Sequence, residues 1–182
     1  VQPYLISTGQ HHEMLDQVFD WFELTPDENL KIMKPNQTLS MVISAAINGL
    51  DDLIAKYEPD VVLAQGDTTT VMSAALAAFH REVPFGHVEA GLRTYDLEKP
   101  FPEEGYRQMA QRVAKWNFAP TDRAMKSLAN EKLSGEAHMV GNTVIDALMD
   151  TAAKDYPLPL KLTRERMVLI TGHRRENHGQ RF

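Results

Sequence analysis

"DVVLAQGDTTTVMSAALAAFHREVPFGHVEAG", residues 60–91, decides the fold. An apolar run at 60–65 turns through Gly66 into an alanine- and serine-rich stretch with helical spacing over 69–81, and a second apolar run follows at 84–90. Strand, helix and strand in so short a span read as one unit of a parallel sheet. Both runs are apolar on both alternations, as strands covered on two faces require. The small residues of 69–81 let a helix lie close to a sheet, and "DTTT" at 67–70 offers Asp67 or a threonine as the cap of its first turn.

The same alternation extends outward. Further strands are predicted at 3–8, 116–120, 137–141 and 166–172, with helices at about 10–23, 38–57, 103–115, 121–131 and 142–153. The expected class is α/β, a Rossmann-like parallel sheet with helices on both faces. Two prolines and a basic stretch in "YPLPLKLTRER", 156–166, place a junction near 150–165. Residues 1–150 then form one Rossmann-like domain, and 151–182 a linker and the opening strand of a second. The first residue is Val1, inside what reads as a running strand, so the chain is expected to be an internal piece of a longer protein.

Composition narrows the functions open to it. A net charge of −6 argues against nucleic acid as a partner, since phosphate binding needs a basic face. No apolar stretch approaches the roughly 18 residues of a membrane span. The absence of cysteine excludes disulfides and thiolate metal sites within these residues and fits a cytoplasmic enzyme.

Ligands of open parallel sheets bind beyond the carboxyl ends of the strands. Three acidic features fall there: Asp67 directly after one strand, Glu89 at the end of the next, and Glu103 with Glu104 at the start of a helix. Asp67 reads equally as an N-cap, and the paired glutamates as first-turn acids that suit the helix dipole. Glu89 is different: a charge in an apolar strand end, between Gly86 and Gly91, must be paired or functional, and Arg93 is the nearest structural partner in sequence. His87 and Glu89 form an H-x-E pair, but the cysteine ligands of the zinc deaminases are absent. His173 and His178 in "GHRRENHG" lack H-E-x-x-H, so no metal is expected. His173, Arg174 and Arg175 read either as a solvated basic turn or as a grip on a diphosphate.

Taken together, "GDTTT" (66–70), "GHVEAGLRT" (86–94), "PFPEE" (100–104), "GNTVIDAL" (141–148) and "TGHRREN" (171–177) resemble the non-hydrolysing UDP-N-acetylglucosamine 2-epimerases of bacteria. The resemblance implies one half of a GT-B-type two-domain enzyme, with the family's first strand, its "GTRPE" loop and nearly all of the uridine-binding domain lying outside these residues. It implies catalytic roles for Asp67, Glu89, Glu103 and His173. Asp67, Glu89, His173 and Arg174 would contact UDP-N-acetylglucosamine, with Gln10 and His11 at an activator site. It further implies a homodimer that needs no cofactor. Gln65 and Tyr106 depart from common family residues, and neither replaces a carboxylate. The implied reaction inverts C2 by elimination and re-addition of UDP through 2-acetamidoglucal. Two other readings stand beside it: a hydrolysing epimerase releasing N-acetylmannosamine and UDP, and an inactive sugar-nucleotide-binding regulator.

Overall fold

The computed structural model describes residues 1–10, 12–155 and 168. The elements run β1 (Ile6–Ser7), α1 (His12–Trp21), β2 (Glu28–Asn29), α2 (Leu39–Tyr57), β3 (Val62–Gln65), α3 (Thr69–His80), β4 (Phe85–Val88), α4 (Glu103–Val113), β5 (Trp116–Ala119), α5 (Asp122–Asn130), β6 (Glu136–Met139) and α6 (Val144–Ala153). The four strands β3-β4-β5-β6 form a parallel sheet in sequence order, and β1 and β2 form a separate parallel pair. This is the expected Rossmann-like α/β class. The short β2 was not expected: "EN" has no apolar signal, and its pairing comes from register with Ile6 and Ser7. The predicted strand at 166–172 lies outside the described residues apart from Val168. Two compact units are distinguished, Val1–Ile145 and Asp146–Phe182, and the sheet belongs to the first.

The sequence accounts for the packing. Alternate residues of the sheet, Val62, Ala64, Phe85, Ala119 and Ala137, join the clusters built with α2 to α5, so α3, α4 and α5, the successive crossovers, share one face. Ala75, Ala77 and Ala78 of α3 are fully buried, and their size lets Leu50 and Ile54 of α2 approach from one side and Ala110 and Ala114 of α4 from the other. Phe85 is 1% exposed, and burying such a side chain contributes roughly 2–3 kcal/mol. Thr38 caps α2 through Met41 N at 3.2 Å, and Thr121 caps α5 through Ala124 N at 3.2 Å. Between β1 and β3, which do not pair, lies an apolar cleft of about 430 Å³ lined by Ile6, Leu50, Ile54, Val62 and Ala64 among others.

The turn after β4 depends on Gly91. Its φ is +86°, and a Cβ there would be driven into the carbonyl of Ala124 on α5. Gly91→Ala is expected to cost roughly 2–3 kcal/mol, read as a lower urea midpoint with an unchanged slope.

Candidate active site

The parallel register brings the carboxyl ends of β3 and β4 side by side, with Gln65 opposite Val88. Gly66 follows β3 with φ +91°, and a Cβ there would stand 3.6 Å from Glu89 Oε2, so Glu89's carboxyl leans over the turn that presents Asp67. Glu89 itself adopts φ 66°, a left-handed conformation that costs a non-glycine residue free energy and persists where its surroundings hold it. Burial raises its pKa and the neighbouring Asp67 carboxylate raises it further, against a smaller opposing pull from Arg107.

Asp67 does not cap α3: Thr68 is the N-cap residue and makes no side-chain cap bond, while Asp67 Oδ2 accepts a charged hydrogen bond from Arg107 Nη2. The first turn of α3 is instead served by Gln10, whose Oε1 accepts from Thr70 N at 3.1 Å and Thr70 Oγ1 at 2.8 Å. Arg93 is not the partner of Glu89. It is engaged with Glu131, at 2.5 and 2.8 Å, and with Gln111 Oε1. Arg107 is therefore the cation of this cluster. Nothing in the sequence motifs assigns it a role; the signal is its place three and four residues after Glu104 and Glu103, which puts all three on one helix face.

The paired glutamates divide their roles. Glu104 is fully buried and accepts from Thr94 N at 3.1 Å, Tyr95 N at 3.1 Å and Gln108 Nε2 at 2.8 Å, with Arg107 Nη1 at 3.4 Å. Burial alone would raise its pKa, but the bonds from Gln108, Thr94 and Tyr95 and the Arg107 charge outweigh that and hold it below the ordinary range. Glu103 makes no such bonds, and its Oε2 is buried without a hydrogen-bond partner among the described residues. Beneath them, His87 donates from Nε2 to Gly66 O at 2.6 Å, leaving Nδ1 buried and unpartnered. Burial lowers its pKa, so the ring is neutral and braces the turn before Asp67. "GNT" joins from β6, where Thr143 Oγ1 donates to Gln65 Oε1 at 3.2 Å.

The structure thus brings Asp67 and Glu89 together with Arg107 and sets Glu103 on Arg107's helix face. His11, His173 and Arg174 lie outside the described residues. Among the described residues no group of three histidines, aspartates or glutamates is placed to hold a metal ion, and no helix is long and apolar enough to cross a membrane.

A family model described as UDP-N-acetylglucosamine 2-epimerase matches residues 1–182. The chain belongs to the UDP-N-acetylglucosamine 2-epimerase family. It is 45% identical to the UDP-N-acetylglucosamine 2-epimerase of Neisseria meningitidis over 95% of this chain and 50% of that protein. It is also 45% identical to the Bacillus subtilis enzyme of the same name, over 99% and 48%. The chain therefore spans about half the length of the curated epimerases it matches. Among solved structures, a putative epimerase from Listeria monocytogenes superposes with a TM-score of 0.90 at 46% identity, covering 98% of this chain and 48% of that one. The Neisseria meningitidis epimerase bound to UDP-GlcNAc superposes with a TM-score of 0.78 at 45% identity, covering 83% and 42%. The described fold is one domain of the GT-B-type epimerase architecture.

A raised carboxyl pKa has a thermodynamic sign. The native state holds the Glu89 proton more tightly than the unfolded chain does, so this group's contribution to stability is full below the ordinary value of 4.5 and is lost as pH rises through the native value. Glu89→Gln is expected to melt higher than wild type near pH 8, with the difference vanishing near pH 4. A constant difference across that range would contradict the assignment.

Proposed function

We propose that the protein carrying this chain interconverts UDP-N-acetylglucosamine and UDP-N-acetylmannosamine by inverting C2. The observation that carries this reading is the pairing of Asp67 and Glu89 at adjacent strand ends, one salt-bridged to Arg107 and the other with its pKa raised by burial and by the Asp67 carboxylate. C2 of the sugar has no neighbouring carbonyl to stabilise a carbanion. Departure of UDP from C1 as the C2 proton is removed avoids that difficulty and gives 2-acetamidoglucal. Re-addition of UDP with protonation on the opposite face completes the inversion. This needs an acid or base on each face, and two adjacent carboxyls, one salt-bridged and the other raised by burial, are groups suited to it.

Asp67, Glu89 and Glu103 share the proton transfers in this scheme. Glu103's Oε2 has no hydrogen-bond partner among the described residues, so its lone pairs are uncommitted. His173, assisted by Arg174, would stabilise the departing β-phosphate. The solved relative bound to UDP-GlcNAc supports the substrate class. The protein acts as a cytoplasmic homodimer without a nicotinamide or metal in this proposal.

The test uses a protein of the relatives' full length, incubated with UDP-N-acetylglucosamine in deuterium oxide and followed by proton NMR. Loss of the C2 proton signal with growth of the UDP-N-acetylmannosamine anomeric signal is expected. Free N-acetylmannosamine would establish the hydrolysing reaction instead, and ligand binding without exchange would establish a regulator. Asp67→Asn and Glu89→Gln should each lower kcat by about 10²- to 10⁴-fold; turnover within a few-fold of wild type would remove that residue from the proton transfers.

A further inference from the structure

We propose that Glu104 is a positioning residue of this site, a buried bracket that fixes the 94–95 turn after Glu89 and holds Arg107 against Asp67. The inference rests on the epimerase reading only for its kinetic test. Glu104 is 0% exposed and all of its bonds are to the protein, so its role is to position other groups. Its two oxygens are used separately: Oε2 accepts Thr94 N and faces Arg107 Nη1, while Oε1 accepts Tyr95 N and Gln108 Nε2. Arg107 extends the connection, since its other terminal nitrogen binds Asp67. One carboxylate thus links the segment that follows Glu89, the helix that bears Glu103 and the guanidinium that orients Asp67.

The chemistry of the bracket demands an anion. Two backbone N–H groups approach different oxygens of the same group, so an amide of identical shape turns an NH₂ toward one of them and leaves that N–H unsatisfied. Tyr95 has φ 59°, and a turn of that kind persists only where its surroundings hold it. Displacing reacting groups by about 1 Å is enough to cost roughly 100-fold in rate.

The charges facing this assembly are Asp67 after β3, Glu89 and neutral His87 from β4, Arg93 in the following loop, and Glu103 and Arg107 from α4. Arg107 is shared between Asp67 and Glu104. Removing the Glu104 charge leaves the cation to Asp67 and Glu89 alone, which lowers the proton affinity of Glu89.

In a protein of the relatives' full length, Glu104→Gln is expected to lower kcat roughly 10- to 100-fold with little change in KM, and to move the limb of the kcat profile set by Glu89 to lower pH. Glu104→Asp keeps the charge but withdraws both oxygens, so it should lower kcat and leave the limb in place. Independently of turnover, amide hydrogen exchange at Thr94 and Tyr95 should quicken at least tenfold in Glu104→Gln. Wild-type kcat in both variants would overturn the proposal. So would a loss that only follows the folded fraction, with the limb and the two amides unmoved. Absence of epimerisation in the wild-type protein would instead defeat the proposed function, and the exchange rates would still decide the role of Glu104.

Discussion

A single guanidinium, that of Arg107, lies between two carboxylates in a region with little access to water, and the arrangement of the site follows from it. Burying charges is costly unless they are paired, and breaking such a pair by removing one partner typically costs about 3–5 kcal/mol. Arg107 cannot neutralise every acid around it. Asp67 receives a direct bond and Glu104 is satisfied largely by backbone N–H groups, while burial and the Asp67 charge raise the proton affinity of Glu89. Similar side chains differ here because the cation and the backbone N–H groups serve some of them and burial acts on the other.

The scaffold makes this possible by being close-packed beneath the strand ends. α3 presents alanine to both neighbouring helices and to the sheet, which leaves little room for β3 and β4 to shift relative to one another. His87 extends that order to the strand ends by binding Gly66 O from within the sheet. The positions of Asp67 and Glu89 are thus set by backbone register and by a buried ring, which hold more firmly than exposed loops would.

Much of the fold was legible in the residues because strand and helix periodicities differ and because β3, β4 and their crossover carry strong apolar signals. β2 was not, since it takes its conformation from its neighbour. The acidic positions were visible as charges where apolar residues belonged. Their partners were not: Arg93 is closer to Glu89 in sequence, yet the fold turns it toward Glu131 and Gln111. Arg107 and Gln10 join residues 40 and 60 positions away. A sequence read along its length registers spacing within an element far better than pairing across the tops of strands. Asp67 illustrates the point, because its place before a helix implied a cap and its actual bond depends on a helix two elements later.

The left-handed backbone at Glu89 has a consequence for how such a protein can change over generations. A glycine there would relieve the torsional penalty and remove a half-buried acid in a single substitution, so the chain would fold at least as well while losing the group. Selection for folding alone therefore pushes this position away from glutamate. Glutamate persists there only while something other than folding is being selected, and a lineage released from that demand would lose its chemistry before its architecture.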